Sequence, residues 1–435
     1  MMIDSIQGRR LAWIVFALVA IAGCGNYYVY DSIGPVADLL QRERAFSSTQ
    51  IGMLNAIYSL PNIVLLIVGG MLVDRFGAAR ITVWTAAVCL AGATLTAFSP
   101  GFAGMAAGRL LFGIGAETLL MGTLVGVVQY FSGLSLAFAT GSLIAIGRLG
   151  SFSADMSPTL FAGAYRQGWQ PPLIIAALIA ACSFAAAAGY WWIDRRAGKH
   201  VAGAVRSTKP FLLSDLSQFG KAYWFLLVLC VLWYSVIAAF RSTFSIMYFQ
   251  QVRHMDLATA GAMNSYVFLA ALVATPAFGW LCDRIGRYAP LLALGALLLP
   301  VAIAILALTH WSLWVATALI GVSYSVVPAV MWPLASKLVA PERFGTALGL
   351  MWVVQNAGIF GANLVAGWLN DAAGASAQNP VGYEPMMAFF GATSALGFGF
   401  SLLLWITAGR SRQEAAMHER VSKTVADIGF CSPRP

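Results

Sequence analysis

Charge is what this chain has least of. Asp, Glu, Lys and Arg together make 10% of its 435 residues, while 60% are apolar and the mean hydropathy is +0.77. Soluble domains carry about 25% charged residues, and a soluble fold of this size would lack the polar residues to cover its surface. Collagen, intrinsic disorder and a disulfide-stapled secreted fold are excluded on the same composition. Histidine is nearly absent. Of the four, His254 and His310 fall at outer helix ends and the others in basic segments, which leaves no histidine relay across a membrane. The six cysteines are scattered, without CxxC or metal-ligand spacing, and read as small apolar residues. No HExxH, Ser-His-Asp array or phosphate-cradling loop stands out. The chain is therefore expected not to be an enzyme and to hold no metal and no cofactor. A polytopic membrane protein remains.

Long apolar runs are what is there. A span needs about 20 apolar residues, and twelve runs qualify, at roughly 11–30, 49–73, 81–98, 103–130, 134–162, 171–193, 222–250, 258–281, 289–308, 311–338, 345–369 and 386–408. All are too long for barrel strands, and a backbone in lipid must satisfy its own hydrogen bonds, so an all-α membrane protein of twelve transmembrane helices is expected. The first run follows Arg9 and Arg10, exceeds a signal-peptide core and reads as an uncleaved span. With the N-terminus inside, nineteen of the 26 Lys and Arg fall on the cytoplasmic side and four (Arg42, Arg44, Arg166, Arg253) outside. That asymmetry places both termini in the cytoplasm and accounts for the net charge of +9 without nucleic acid. The longest polar interruption, Asp194 to Gly220, is basic and splits the spans six and six. The expected organisation is a six-helix half (1–193), a basic cytoplasmic linker (194–221), a second six-helix half (222–409) and a cytoplasmic tail (410–435).

An internal repeat supports the split. Shifting the chain by 209 residues superposes Gly52 on Gly261, Asn55 on Asn264, Gly70 on Gly279, Asp74 on Asp283, Arg75 on Arg284 and Gly77 on Gly286. Two repeated six-helix halves are a transporter architecture, with the solute site between them near the midplane.

The segment Gly70-Met-Leu-Val-Asp74-Arg75-Phe-Gly77-Ala-Ala-Arg80 resembles the loop 2–3 signature of the major facilitator superfamily, and Gly279-Trp-Leu-Cys-Asp283-Arg284-Ile-Gly286-Arg287 its weaker second copy. Arg109-Leu-Leu-Phe-Gly113-Ile-Gly115 is similar to the fourth-helix motif. Further stretches resemble one branch, that of a lysosomal dipeptide uniporter and its bacterial relatives. They include Tyr30-Asp31-Ser-Ile-Gly-Pro35, Tyr58-Ser-Leu-Pro-Asn62, Glu117-Thr, Gly147-Arg148-Leu-Gly150-Ser151, Met331-Trp332-Pro333 and Gln355-Asn356-Ala-Gly358. The resemblance implies a twelve-helix carrier that rocks two halves. It implies that Asp74, Arg75, Arg80, Asp283 and Arg284 form a cytoplasmic gate, and that Arg109 serves substrate or proton coupling.

Ionisable groups inside a bilayer are costly and point to function. Counting 1.5 Å per residue puts Glu117 and Arg148 near the midplane on neighbouring spans. They can pair as a helix staple, or hold the ammonium and carboxylate of a zwitterion. In the resembled branch the matching acid and arginine bind peptide termini. Asp155, two turns beyond Arg148, is expected to partner it or to act as a proton site. Arg241, toward the outer end of its span, is expected to snorkel. Neutral groups expected to line a peptide-sized cavity include Tyr28, Tyr58, Asn62, Asn264, Trp332, Gln355 and Asn356.

The expected protein is a monomeric multi-pass carrier of the bacterial inner membrane, its partners the bilayer and a small zwitterion such as a dipeptide, with an accessory subunit left open. The rival readings are a proton-coupled carrier of organic anions or drugs, and a transporter-like sensor, for which the C-terminal tail is too small an output domain.

Overall fold

The structure is a computed structural model and describes residues 6–197, 218–309, 312–340 and 343–429. Most of the expected linker and the end of the expected tail lie outside these residues. The described chain is almost wholly helical: α1 (Ile6–Asp31), α2 (Ile33–Arg44), α3 (Ser48–Phe76), α4 (Ala78–Phe98), α5 (Phe102–Tyr130), α6 (Gly133–Asp155), α7 (Ser157–Leu160), α8 (Ala162–Arg166), α9 (Gln170–Ala197), α10 (Lys221–Ala239), α11 (Ser245–Gln251), α12 (Leu257–Ile285), α13 (Tyr288–Leu308), α14 (Leu313–Leu338), α15 (Phe344–Ala372) and α16 (Glu384–Gly429). Ten helical segments are long and apolar enough to cross a membrane, and α3, bent by 62° between Leu65 and Val68, makes an eleventh. The remaining expected span is α6, which packs along α1 and α12.

Local chemistry sets the ends. Ser47 and Gln50 form a reciprocal cap on α3, Ser47 Oγ accepting from the Gln50 N–H at 3.2 Å and Gln50 Oε1 from the Ser47 N–H at 3.0 Å. Gly77 and Gly286, matched by the repeat, both take positive φ (86° and 63°) and end α3 and α12, a conformation open to glycine because it has no Cβ. The expected loop after the first span is instead helical. α2 extends α1 past Ser32 and buries Ile33, Val36, Ala37 and Leu40 completely. The second-half counterpart, α10 to α11, is continuous through a π-helical turn at Phe240–Phe244. α16 likewise runs on into the expected tail.

Helices α1–α9 pack among themselves, as do α10–α16. The two bundles meet chiefly where α3 lies against α15 and α6 against α12, with α2 touching α11. The hydrogen bonds and ion pairs described between the bundles lie on one side, away from the inner end where α3 passes into α4. We call that side the outer end. Asp371 at the end of α15 accepts from the N–H groups of Ser48 (2.7 Å) and Thr49 (2.8 Å) at the start of α3. Gln251 donates to Asp38 (2.8 Å) and Gln41 (3.2 Å). Asn55 donates to Ser242 O (3.1 Å) and Thr243 Oγ1 (2.9 Å). At the inner end Asp74, Arg75, Arg80 and Arg284 are exposed, and a Cβ added at Gly349 on α15 would meet nothing within 4 Å. Among the described residues, the bonds that join the bundles lie at the outer end.

Candidate solute cavity

Between the bundles lies a cavity of about 230 Å³. The first bundle contributes Asn26, Tyr27, Tyr30 and Asp31 from α1, Tyr58 and Ser59 from α3, Glu117 from α5, and Arg148 and Ser151 from α6. The second contributes Tyr234 and Ile237 from α10, Arg241, Phe268 from α12, Tyr324 from α14, and Trp352, Gln355 and Asn356 from α15. The first wall carries most of the charge, and the second is mainly aromatic and amide.

Glu117 accepts from the Tyr58 hydroxyl at 2.8 Å. It makes no ion pair with Arg148: among the described residues the ion pairs within 4 Å are Arg42–Asp38, Arg241–Asp31 and Arg241–Asp155. No described residue accepts a hydrogen bond from Arg148. Its guanidinium instead lies 4.2 Å from the ring centre of Tyr324 on the opposite bundle. The helix-staple alternative is therefore not the arrangement adopted. An acid and a base face one space, each with bonding capacity to spare.

At the outer side of the cavity Arg241 is almost fully buried and does not snorkel. It donates to Asp31 at 2.8 Å and Asp155 at 2.6 Å, both from the first bundle. Asn264 adds a bond to Asp155 at 2.9 Å and another to the Arg241 carbonyl at 3.1 Å. The expectation that Asp155 partners Arg148 is corrected: two turns along one helix bring the residues to one face, but the carboxylate reaches across the seam to the other bundle. Arg241 also donates to Ser242 Oγ at 3.0 Å, and the ring of Phe268 lies 4.0 Å from its central carbon.

The sequence matches a known family, Major Facilitator Superfamily, over residues 19–363 and 238–428. The chain belongs to that superfamily. It is 29% identical to the lysosomal dipeptide transporter MFSD1 of Mus musculus over 378 residues, 83% of this chain and 80% of the relative. The Homo sapiens protein of that name is 28% identical over 377 residues, with the same coverage. Among solved structures, the chain resembles a bacterial homolog of the human lysosomal transporter Spinster, crystallised inward-facing and unoccupied. The TM-score is 0.73 at 15% identity, covering 91% of this chain and 97% of that one. The nucleoside transporter NupG gives 0.69 at 12% identity, covering 90% and 98%. These two likenesses bear on the fold alone. Membership of that superfamily makes the chain a multi-pass membrane transporter.

Of the residues expected at the site, Glu117, Arg148, Tyr58, Gln355 and Asn356 line the cavity. Four expected residues do not. Asn62 spends its amide on the Tyr58 carbonyl one turn back (3.2 Å). Asn264 belongs to the Arg241 cluster. Tyr28 packs with Ala154 and Ala176 on the other face of α1. Trp332 stands behind the wall, stacked at 5.1 Å on Trp352, which faces the cavity in its place. Arg109 sits outside the cavity lining. It donates to the carbonyls of Leu54 (3.1 Å), Val29 (3.0 Å) and Tyr30 (3.0 Å) and to Asn55 Oδ1 (2.8 Å), a brace joining α1, α3 and α5. The Asp283 side chain lies outside the described residues. Sequence reasoning missed Asp31, Arg241, Tyr234, Phe268 and Trp352 as cavity residues. The signal for Arg241 was its place within an apolar span.

Proposed function

We propose that the protein is a facilitative transporter of small zwitterions, dipeptides foremost, working by alternating access. One observation carries the reading: Glu117 and Arg148 line one cavity from adjacent helices without pairing with each other. A dipeptide brings an ammonium for the carboxylate and a carboxylate for the guanidinium fork, so both half-buried charges gain a partner when it binds. The mouse and human relatives are lysosomal dipeptide transporters, which supports the same cargo.

The membrane-buried charges support uniport. Asp31, Glu117 and Asp155 are balanced by Arg109, Arg148 and Arg241. A zwitterion adds no net charge, so the site needs no proton to avoid a stranded ion. Transport rocks the two units, 1–193 and 222–409, about the cavity. The present arrangement opens inward. In the opposite one, Asp74, Arg75 and Arg80, with Asp283 and Arg284, close the cytoplasmic end, Asp74 meeting the positive N-terminus of α15. The chain acts as a monomer in a bacterial inner membrane with both termini in the cytoplasm.

Proteoliposome exchange of a labelled dipeptide, with and without a pH gradient, tests this. Exchange independent of the gradient is expected. Proton uptake stoichiometric with peptide would overturn uniport, and activity surviving Glu117→Gln but not Arg148→Ala would favour an organic-anion carrier.

A further inference from the structure

We infer that Tyr324 is a positioning residue for the carboxylate end of the substrate, acting through Arg148; the inference rests on the zwitterion reading above. Arg148 rises from α6 of the first bundle, and the structure gives it no acceptor among the described residues. What it has is the Tyr324 ring of α14, 4.2 Å from its central carbon. At that distance the face of the ring attracts the cation. A guanidinium held over a ring keeps its in-plane N–H edge, which grips a carboxylate with two parallel bonds.

The ring is itself held. Its partner on α10, Trp233, is 1% exposed and stacks on it nearly parallel, with 17° between planes and 6.1 Å between centres. The Trp233 indole N–H donates to Ser323 Oγ at 3.0 Å, and the Ser323 hydroxyl donates to the Gly295 carbonyl at 2.8 Å. Phe268 meets Tyr324 edge-on, with centres 5.7 Å apart. An arginine free in a cavity would lose much rotamer freedom on gripping its guest. Here part of that loss is taken before the guest arrives, which raises affinity without a new contact. Glu117 has no share in this platform. Its orienting partner is Tyr58, in its own bundle. The two ends of the substrate are therefore served by separate supports, and damage to one leaves the other.

The test is competition uptake in proteoliposomes with three probes: a dipeptide, its C-terminal amide and its N-acetyl form. Wild type is expected to prefer the free dipeptide over both. In Tyr324→Leu the preference over the amide shrinks by about tenfold, through a higher KM for the free dipeptide, as loss of a partly desolvated cation–π contact implies. Discrimination against the N-acetyl form stays as in wild type, which also shows that the variant is folded. Tyr324→Phe keeps the ring face and restores wild-type preference to within about twofold. The inference is overturned if Tyr324→Leu keeps the full preference over the amide, or loses discrimination at both ends alike. A wild-type protein that does not distinguish acid from amide overturns the zwitterion reading, and this inference with it.

Discussion

Two seams close the outer end, and the internal repeat relates them. In the α3/α15 seam a Cβ added at Gly52 would stand 2.4 Å from the Asn363 carbonyl oxygen. In the α6/α12 seam a Cβ at the matched Gly261 would stand 2.4 Å from the Asp155 carbonyl oxygen. Both seams thus bring backbone against backbone at a glycine that has nothing to spare. Their polar partners differ. Asn363 accepts from Thr243 at 2.7 Å, a neutral bond within the second bundle. Asp155 takes a guanidinium from the opposite bundle at 2.6 Å, in a cluster shared with Asp31. The glycine fixes the approach, and the residue beside it decides how the seam parts. Parting the ion cluster strands buried charge, a cost that parting the neutral bond beside Gly52 does not carry.

The largest effect is expected on the charged seam. Arg241→Leu leaves two buried carboxylates without their cation and should cost about 3–5 kcal/mol of stability, read as a melting shift of purified protein. A loss under about 1 kcal/mol would mean the cluster is not the buried unit described. Asp155→Asn gives this seam the amide of its twin and leaves Asp31 on Arg241, so its loss should be smaller, about 1–3 kcal/mol. Next come the glycines. Gly52→Ala and Gly261→Ala should each cost about 1–3 kcal/mol through overlap with a carbonyl and speed labelling of a cysteine placed behind the seam. Gly349→Ala, in open space at the inner end, should do neither. Equal effects at all three positions would erase the contrast between the ends. The smallest effects separate two helix caps. Asp371→Ala removes a cap that joins the bundles, and Asp256→Ala one that α12 makes to itself through Thr259 (3.0 Å). Each should cost about 1 kcal/mol, but only the first should raise outer labelling.

Much of this was legible in the sequence, for identifiable reasons. Span lengths follow from membrane thickness, and counting residues along α5 and α6 brought Glu117 and Arg148 to one depth. The 209-residue shift found both seam glycines and both turn glycines. What sequence could not give was which face of a helix points where. A lipid-facing helix and its interior face are equally apolar, so no polar stripe separates Tyr28 from Tyr27, or Trp332 from Trp352. The π-helical turn at Phe240–Phe244 further breaks the regular count of faces around Arg241. Asn62 and Asn264 looked like cavity amides because they are polar in apolar runs. One in fact bonds its own helix and the other the ion cluster, the common fate of such groups between membrane helices.

The central claim is that the acid and the arginine lining the cavity, Glu117 and Arg148, hold opposite ends of a single guest. Counterflow of a labelled dipeptide against its end-blocked forms, in Glu117→Gln and Arg148→Gln proteoliposomes, tests it most directly. Glu117→Gln should lose discrimination against the N-acetyl form and keep it against the amide, and Arg148→Gln the reverse. Two variants that lose both discriminations together, or neither, would contradict it.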